Sequence, residues 1–203
     1  MIPGIAMLPV IEGEHSTFAL VTPANGRMPT FAAMSDMRPA YFLLGSNLGD
    51  RLAQIQYGLN MLERLAGPAI QRSGVYETAP WGIEDQPAFL NQVAMIPTSL
   101  LPSDLLKHIR HIEEPHSRPK PSQWGPRKLD IDILFYGNEV VQSPELVIPH
   151  PRIASRRFTL VPLAEIAPGF IHPVLHKSVS EMLDDCPDPL SVVRWSPRGN
   201  LTT

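Results

Sequence analysis

The run from Trp124 to Leu134, WGPRKLDIDIL, constrains the fold of this chain more than any other stretch. On an extended strand side chains alternate between faces, so Leu129, Ile131, Ile133 and Phe135 are expected to enter a core while Asp130 and Asp132 project from the opposite face. The chain must therefore build a sheet that buries one side of this strand and carries two negative charges on the other. Taken alone, Asp-x-Asp reads as the solvated face of a half-buried strand. With Arg127 and Lys128 directly before it, the pair also offers two hard oxygen ligands for magnesium ions, which keep most of their waters and complete their shells with nucleotide phosphates.

Composition narrows the classes. A chain of 203 residues with 43% apolar side chains fits one well-cored domain with room for an appendage. A formal net charge of −3 argues against a surface that coats nucleic acid, so any positive site must be local. Cys186 is the single cysteine, which excludes an internal disulfide or a cysteine-rich zinc site and points to a reducing compartment. No apolar run is long enough for a membrane helix, and the opening MIPGIAMLPVIEGE lacks the basic start of a secretory signal. The expectation is a cytoplasmic protein, a monomer with no membrane partner.

Residues 1–37 lack sustained periodicity and are interrupted by proline and glycine. They are expected to form a poorly ordered extension, with weak strand pairing around Phe18 to Val21. The main domain is expected over 38–186 and a tail over 187–203. Within the domain Tyr41 to Leu44 reads as a strand, and Leu52, Ile55, Leu59, Leu62 and Leu65 recur at helical spacing behind a cap at Asp50 or Asn47. Strands follow around Ile70 to Glu77 and Leu90 to Ile96. Pro102 and Ser103 open a helix with Leu105, Ile109 and Ile112 on one face. The order strand, helix, strand, strand, helix, strand predicts an α+β, ferredoxin-like split βαβ arrangement: an antiparallel sheet with both helices on one face. Past Asp-x-Asp, a helical turn over Leu163 to Ala167 and a short helix over Ser178 to Asp185 are expected as extra elements.

Two basic clusters flank the acidic strand: Arg118, Lys120, Arg127 and Lys128 before it, and Arg152, Arg156 and Arg157 after His150. In a net-negative chain this is the pattern of a local anion trap. GSNLGD lacks the spacing of a P-loop, but Gly45 can let backbone approach a planar ligand while Asn47 offers a donor and an acceptor. In TAPWGIEDQPAFLN, Phe89 and Asn91 fall on one face of a strand, which suits stacking against and hydrogen bonding to a heteroaromatic ring. Core packing would equally explain Phe89 alone. Phe158 can supply a second wall.

In that order GSNLGD, VYETAPWG, DQPAFLN, IEE, WGPRKLDIDIL and IPHPRIASRRFTLVPLAEIAP resemble the 6-hydroxymethyl-7,8-dihydropterin pyrophosphokinases of folate biosynthesis, over about residues 39–172. The resemblance implies transfer of the terminal diphosphate of ATP to the hydroxymethyl group of the pterin, release of AMP, and two Mg2+ ions. Asp130 and Asp132 are implied as ligands of both ions. Glu113, Arg118, Lys120, Arg127, Ile133, His150 and Arg156 are implied as ATP contacts, Ile133 beside the adenine, with Arg118 and Arg127 serving catalysis. Gly45, Thr78, Ala79, Pro80, Trp81, Phe89, Asn91, Trp124, Asp130 and Phe158 are implied at the pterin.

The chain departs from the family pattern at a few places. Gln123 precedes the tryptophan where a basic residue is common, the preceding loop is one residue shorter, and Lys120 replaces an arginine, keeping charge without the bidentate fork. Phe89 stands where tyrosine is often found. The loop from Pro115 to Gln123 is expected to act as a lid. The rival readings are an RNA-binding module, which would need sheet-face aromatics that are not present in the required pattern, a metal-dependent nucleotidyltransferase, and a catalytically silent paralogue.

Overall fold

The computed structural model describes residues 6–12, 15–21, 36–80, 85–116 and 126–197. A hairpin comes first, β1 (Ala6–Glu12) against β2 (His15–Val21), with Phe18 opposite Pro9. Then follow β3 (Arg38–Ser46), α1 (Arg51–Ala66), β4 (Gln71–Arg72), β5 (Tyr76–Thr78), β6 (Phe89–Thr98), α2 (Pro102–Glu113) and β7 (Asp130–Tyr136). After β7 come the short strands β8 (Val141–Gln142) and β9 (Val147–Ile148), the helices α3 (Arg157–Ile166) and α4 (Val179–Asp184), and β10 (Val192–Arg194). The main sheet runs β10-β5-β6-β3-β7 with β4 also on β6, antiparallel throughout. The expected split βαβ topology is present, with β10 added beside β5.

Local chemistry explains the elements. Asp50 is the cap of α1, its Oδ1 accepting the Ala53 N–H at 3.1 Å, and Gly67 ends the helix at φ 114°. The expected strand over 70–77 is split because Ser73 substitutes its own hydroxyl in the ladder, accepting the Val93 N–H at 2.9 Å. Leu65, expected on the apolar stripe, is 39% exposed, and Ala66 takes the buried position. The first α-helix after β7 starts earlier than its periodicity suggests: α3 opens at Arg157 rather than Leu163.

The sheet is buried on both faces. Phe42, Leu44, Ala94, Ile96, Ile131 and Ile133 pack with Ile55, Leu59 and Leu62 of α1 and Leu105, Ile109 and Ile112 of α2. On the other side Tyr41, Leu43, Val93 and Met95 pack with Leu160 and Leu163 of α3 and Val179 and Met182 of α4. Phe135 corrects the simple alternation: it lies on this second side, not with Leu129, Ile131 and Ile133. The cause is a bulge, since Tyr41 pairs with Phe135 while Phe42 pairs with Ile133, which leaves Leu134 as an extra residue and reverses the parity beyond it. Phe135 then meets Phe170 at 4.6 Å and Tyr41 edge-on at 6.1 Å between ring centroids.

Gly58 lets α1 settle onto the start of β7. A Cβ there would lie 3.0 and 3.1 Å from the Leu129 methyls and 3.2 Å from a Leu44 methyl. Gly58→Val should overpack this contact and lower the unfolding free energy by about 1–3 kcal/mol, read as a lower urea midpoint at constant m-value.

Candidate active site

Residues opposite one another in an antiparallel sheet share a face. Asp130 lies opposite Gly45 of β3, and Gly45 lies opposite Asn91 of β6. Asp132 occupies the next row with Leu43 and Val93, and Phe89 pairs with Thr78 beyond Asn91. The acidic pair, Asn91 and Phe89 therefore stand at one end of the face that α3 and α4 cover further along. Gly45 keeps the floor between them low: a Cβ would sit 3.0 Å from Asn91 Oδ1 and 4.0 Å from the Phe89 ring. Asn91 Nδ2 donates to Thr78 Oγ1 at 2.9 Å, fixing both groups.

The charges are strongly perturbed. Desolvation raises the pKa of Asp130, and the neighbouring charge of Asp132 raises it further, against the pull of Arg127. Desolvation also raises Asp132, opposed by Arg156, Arg127 and Arg152. Their side chains nevertheless remain 35% and 29% exposed, so the carboxylates open onto a cleft. Arg127 hydrogen-bonds Asp130, while Arg156 and His150 Nε2 each lie 3.8 Å from Asp132. Arg156 also stacks over Phe158 at 5.4 Å from the ring centroid.

Burial, then the charges of Arg156 and Arg152, push His150 down to about 4, so its ring is neutral near pH 7. Its Nδ1 accepts the Arg152 N–H at 3.2 Å, which leaves the proton on Nε2, the atom that faces Asp132. Glu113, at the end of α2, accepts the Ile131 N–H at 2.7 Å, and burial together with the charge of Asp130 pushes it up to about 8. The backbone N–H of His150 donates to the Leu134 carbonyl at 3.0 Å. Both bonds fall on the outer edge of β7.

Asn47 braces the loops around the cleft. Its Oδ1 accepts the Arg127 N–H at 2.8 Å, and its own N–H donates to the Arg127 carbonyl at 3.1 Å. Its Nδ2 reaches Gln86 Oε1 and the Pro87 carbonyl, both at 3.2 Å. Arg51 adds a bond to the Ala88 carbonyl at 2.8 Å and an ion pair to Glu77 at 2.8 Å.

Of the residues singled out in the sequence, Asp130, Asp132, Arg127, His150 and Arg156 converge, with Glu113 behind them. Gly45, Thr78, Phe89 and Asn91 form the adjoining floor and edge, Ala79 and Pro80 continue from β5, and Phe158 rises from α3 beside Arg156. Ile133 lies where alternation puts it, 5% exposed in the core under α1 and α2 with its side chain turned away from both aspartates. Trp81, Arg118, Lys120, Gln123 and Trp124 lie outside the described residues, as does the expected lid from residue 117 onward. Sequence reasoning missed the bracing role of Asn47 and the support of His150 by the Arg152 backbone. The position of Asn47 directly after β3 is a signal, but its partner stands 80 residues away.

A ferredoxin-like sheet that gathers two carboxylates, guanidinium groups and a neutral imidazole beside a flat-floored slot has the makings of a phosphotransferase. Residues 41–168 match the model of the family described as 7,8-dihydro-6-hydroxymethylpterin-pyrophosphokinase (HPPK), and the chain belongs to that family. The 2-amino-4-hydroxy-6-hydroxymethyldihydropteridine pyrophosphokinase of Aquifex aeolicus is 43% identical over 146 residues, covering 71% of this chain and 90% of that protein. The folic acid synthesis protein fol1 of Schizosaccharomyces pombe is 41% identical over 149 residues, 73% of this chain but 20% of that longer protein. Among solved structures, wild-type Plasmodium falciparum HPPK-DHPS with SDX-DHP shares the fold at a TM-score of 0.61 and 17% identity, over 73% of this chain and 44% of that one.

Asn47 is 2% exposed, and its removal would strand the Arg127 N–H in the interior. Asn47→Ala should cost about 1–3 kcal/mol of stability, and hydrogen exchange should show faster opening at the Gln86, Ala88 and Arg127 amides than in the parent protein.

Proposed function

We propose that this chain is the enzyme its family implies, transferring the diphosphate of ATP to the hydroxymethyl group of 6-hydroxymethyl-7,8-dihydropterin in folate biosynthesis and releasing AMP. The row Asp130–Gly45–Asn91 carries this reading, because it sets the paired acidic platform on the same sheet face as Asn91 and Phe89, with only a glycine between. The hydroxyl oxygen of the pterin attacks the β phosphorus, the bond between the bridging oxygen and that phosphorus breaks, AMP leaves, and the hydroxyl proton passes to solvent.

Asp130 and Asp132 would hold two Mg2+ ions, and the donor set fits them. Among the described residues no group of three or more histidine, cysteine or acidic side chains forms a metal cage. A pair of hard oxygen donors in a partly open cleft is what an ion needs when phosphates and waters supply its other ligands. When bound, the ions supply charge neutralisation on the triphosphate and acidify the pterin hydroxyl.

The chain's own groups position the substrates. Arg127 and Arg156 take phosphate oxygens, and the family resemblance implies Arg118 and Lys120 as further phosphate contacts. Neutral His150 donates an Nε2–H hydrogen bond to a phosphate oxygen and does not act as a base, consistent with the burial and the arginine charges that hold its pKa down. Phe89 and Phe158 sandwich the pterin, Asn91 and Thr78 read its edge with Ala79 and Pro80, and the resemblance implies Trp81 and Trp124 at the same ligand. Glu113 holds β7 in place beneath the nucleotide. The enzyme is assigned to the cytoplasm as a monomer, a reducing compartment being where the lone Cys186 would stay a thiol; no helix among the described residues is long and apolar enough to cross a membrane.

Incubation with ATP, Mg2+ and the reduced hydroxymethylpterin should yield AMP, whereas inorganic pyrophosphate as the product would reassign the chain to nucleotidyl transfer. Asp132→Ala should lose about 3 kcal/mol or more of transition-state stabilisation, seen as at least a hundredfold drop in AMP formation. Arg127→Ala should raise the KM for ATP more than that for the pterin; the reverse order would remove Arg127 from the phosphate site.

A further inference from the structure

The two walls of the pterin slot come from elements far apart in sequence, and one later segment touches the supports of both. Helix α3, which carries Phe158 and follows Arg156, starts without a side-chain cap of its own. Asp188, 5% exposed, supplies the missing acceptor: its Oδ2 takes the Arg157 N–H at 3.0 Å, while Oδ1 takes the Leu190 N–H at 3.0 Å. A few residues on, β10 pairs with β5, setting Val192 opposite Thr78, and the Trp195 N–H donates to the Val75 carbonyl at 2.8 Å. Glu165 of α3 closes the circuit. Its Oε2 accepts from the Gly74 N–H at 2.8 Å and the Tyr76 hydroxyl at 3.0 Å, and its Oε1 pairs with Arg194 at 3.3 Å.

We propose that residues 187–195 act as a positioning strap for the pterin slot, with Asp188 fixing the helix start that bears Phe158 and β10 fixing the strand that bears Thr78. The proposal rests on the assignment of Phe158 and Thr78 to the pterin. The strap lies wholly beyond residues 41–168, the stretch that matches the family model. It contains no catalytic residue. Its effect is on the spacing and tilt of the two walls, to which a stacked ring is sensitive, and the phosphate end at Asp130 and Arg127 is anchored separately through Asn47 and Glu113.

The test is steady-state kinetics on Asp188→Ala, Asp188→Asn and Val193→Pro in the full chain, varying pterin and ATP separately. Val193 is 59% exposed, so its replacement spares the core. Alternation from the Trp195–Val75 bond makes Val193 the next hydrogen-bonding position, where proline removes a donor. Val193→Pro should raise the pterin KM roughly five- to tenfold while the ATP KM stays within about twofold; Asp188→Ala, which loosens the helix start next to Arg156, should raise the pterin KM by a similar factor and the ATP KM by less. Asp188→Asn, which keeps an acceptor oxygen for one of the two N–H groups, should recover part of the pterin loss. Equal rises in both KM values, or an unchanged pterin KM in Val193→Pro, would overturn the strap. Phe158→Ala, measured alongside, separates the two ideas: if it raises the pterin KM and the strap variants do not, only the strap falls. If Phe158→Ala also leaves that KM unchanged, the slot assignment falls and the strap with it.

Discussion

Two carboxylates held two residues apart on a rigid strand repel each other and resist desolvation, and most of the surrounding structure answers that problem. Burial raises both Asp130 and Asp132 above their ordinary pKa, and the charge of Asp132 adds to the rise at Asp130. The strand cannot relax by twisting them apart, because Ile131 and Ile133 are locked into one core and Leu134 and Phe135 into the other. The relief is electrostatic instead. Arg127 pairs with Asp130, Arg156 lies close to Asp132, and His150 stays neutral among them.

Alternation on β7 was legible because it is local: Leu129, Ile131 and Ile133 fall on one face and both aspartates on the other, as period two requires. Phe135 was not, because the bulge that moves it arises from pairing with β3, more than ninety positions earlier. The cap at Asp50 could be narrowed to two residues from sequence, but only the fold shows why Asn47 is engaged elsewhere, bound to Arg127. The start of α3 was hidden for the same kind of reason. Its acceptor is Asp188, thirty-one residues downstream, so no serine, threonine or aspartate stands at the usual position to announce it.

The candidate site divides along the same line. Residue types and order marked the acidic pair, the two basic clusters and the aromatic-amide strand. The distances between them depend on which strands become neighbours, and β3 decides that by running between β6 and β7 with Gly45 at the junction.

β7 ends the sheet, and an unpaired border of this kind normally invites a foreign strand to add on. Here the outward Ile131 N–H is already taken by Glu113 and the outward Leu134 carbonyl by the His150 backbone. The strand that bears the reactive carboxylates is thereby sealed against zipping onto a neighbouring molecule. Losing Glu113 would open a seam for self-association as well as disturb the cleft.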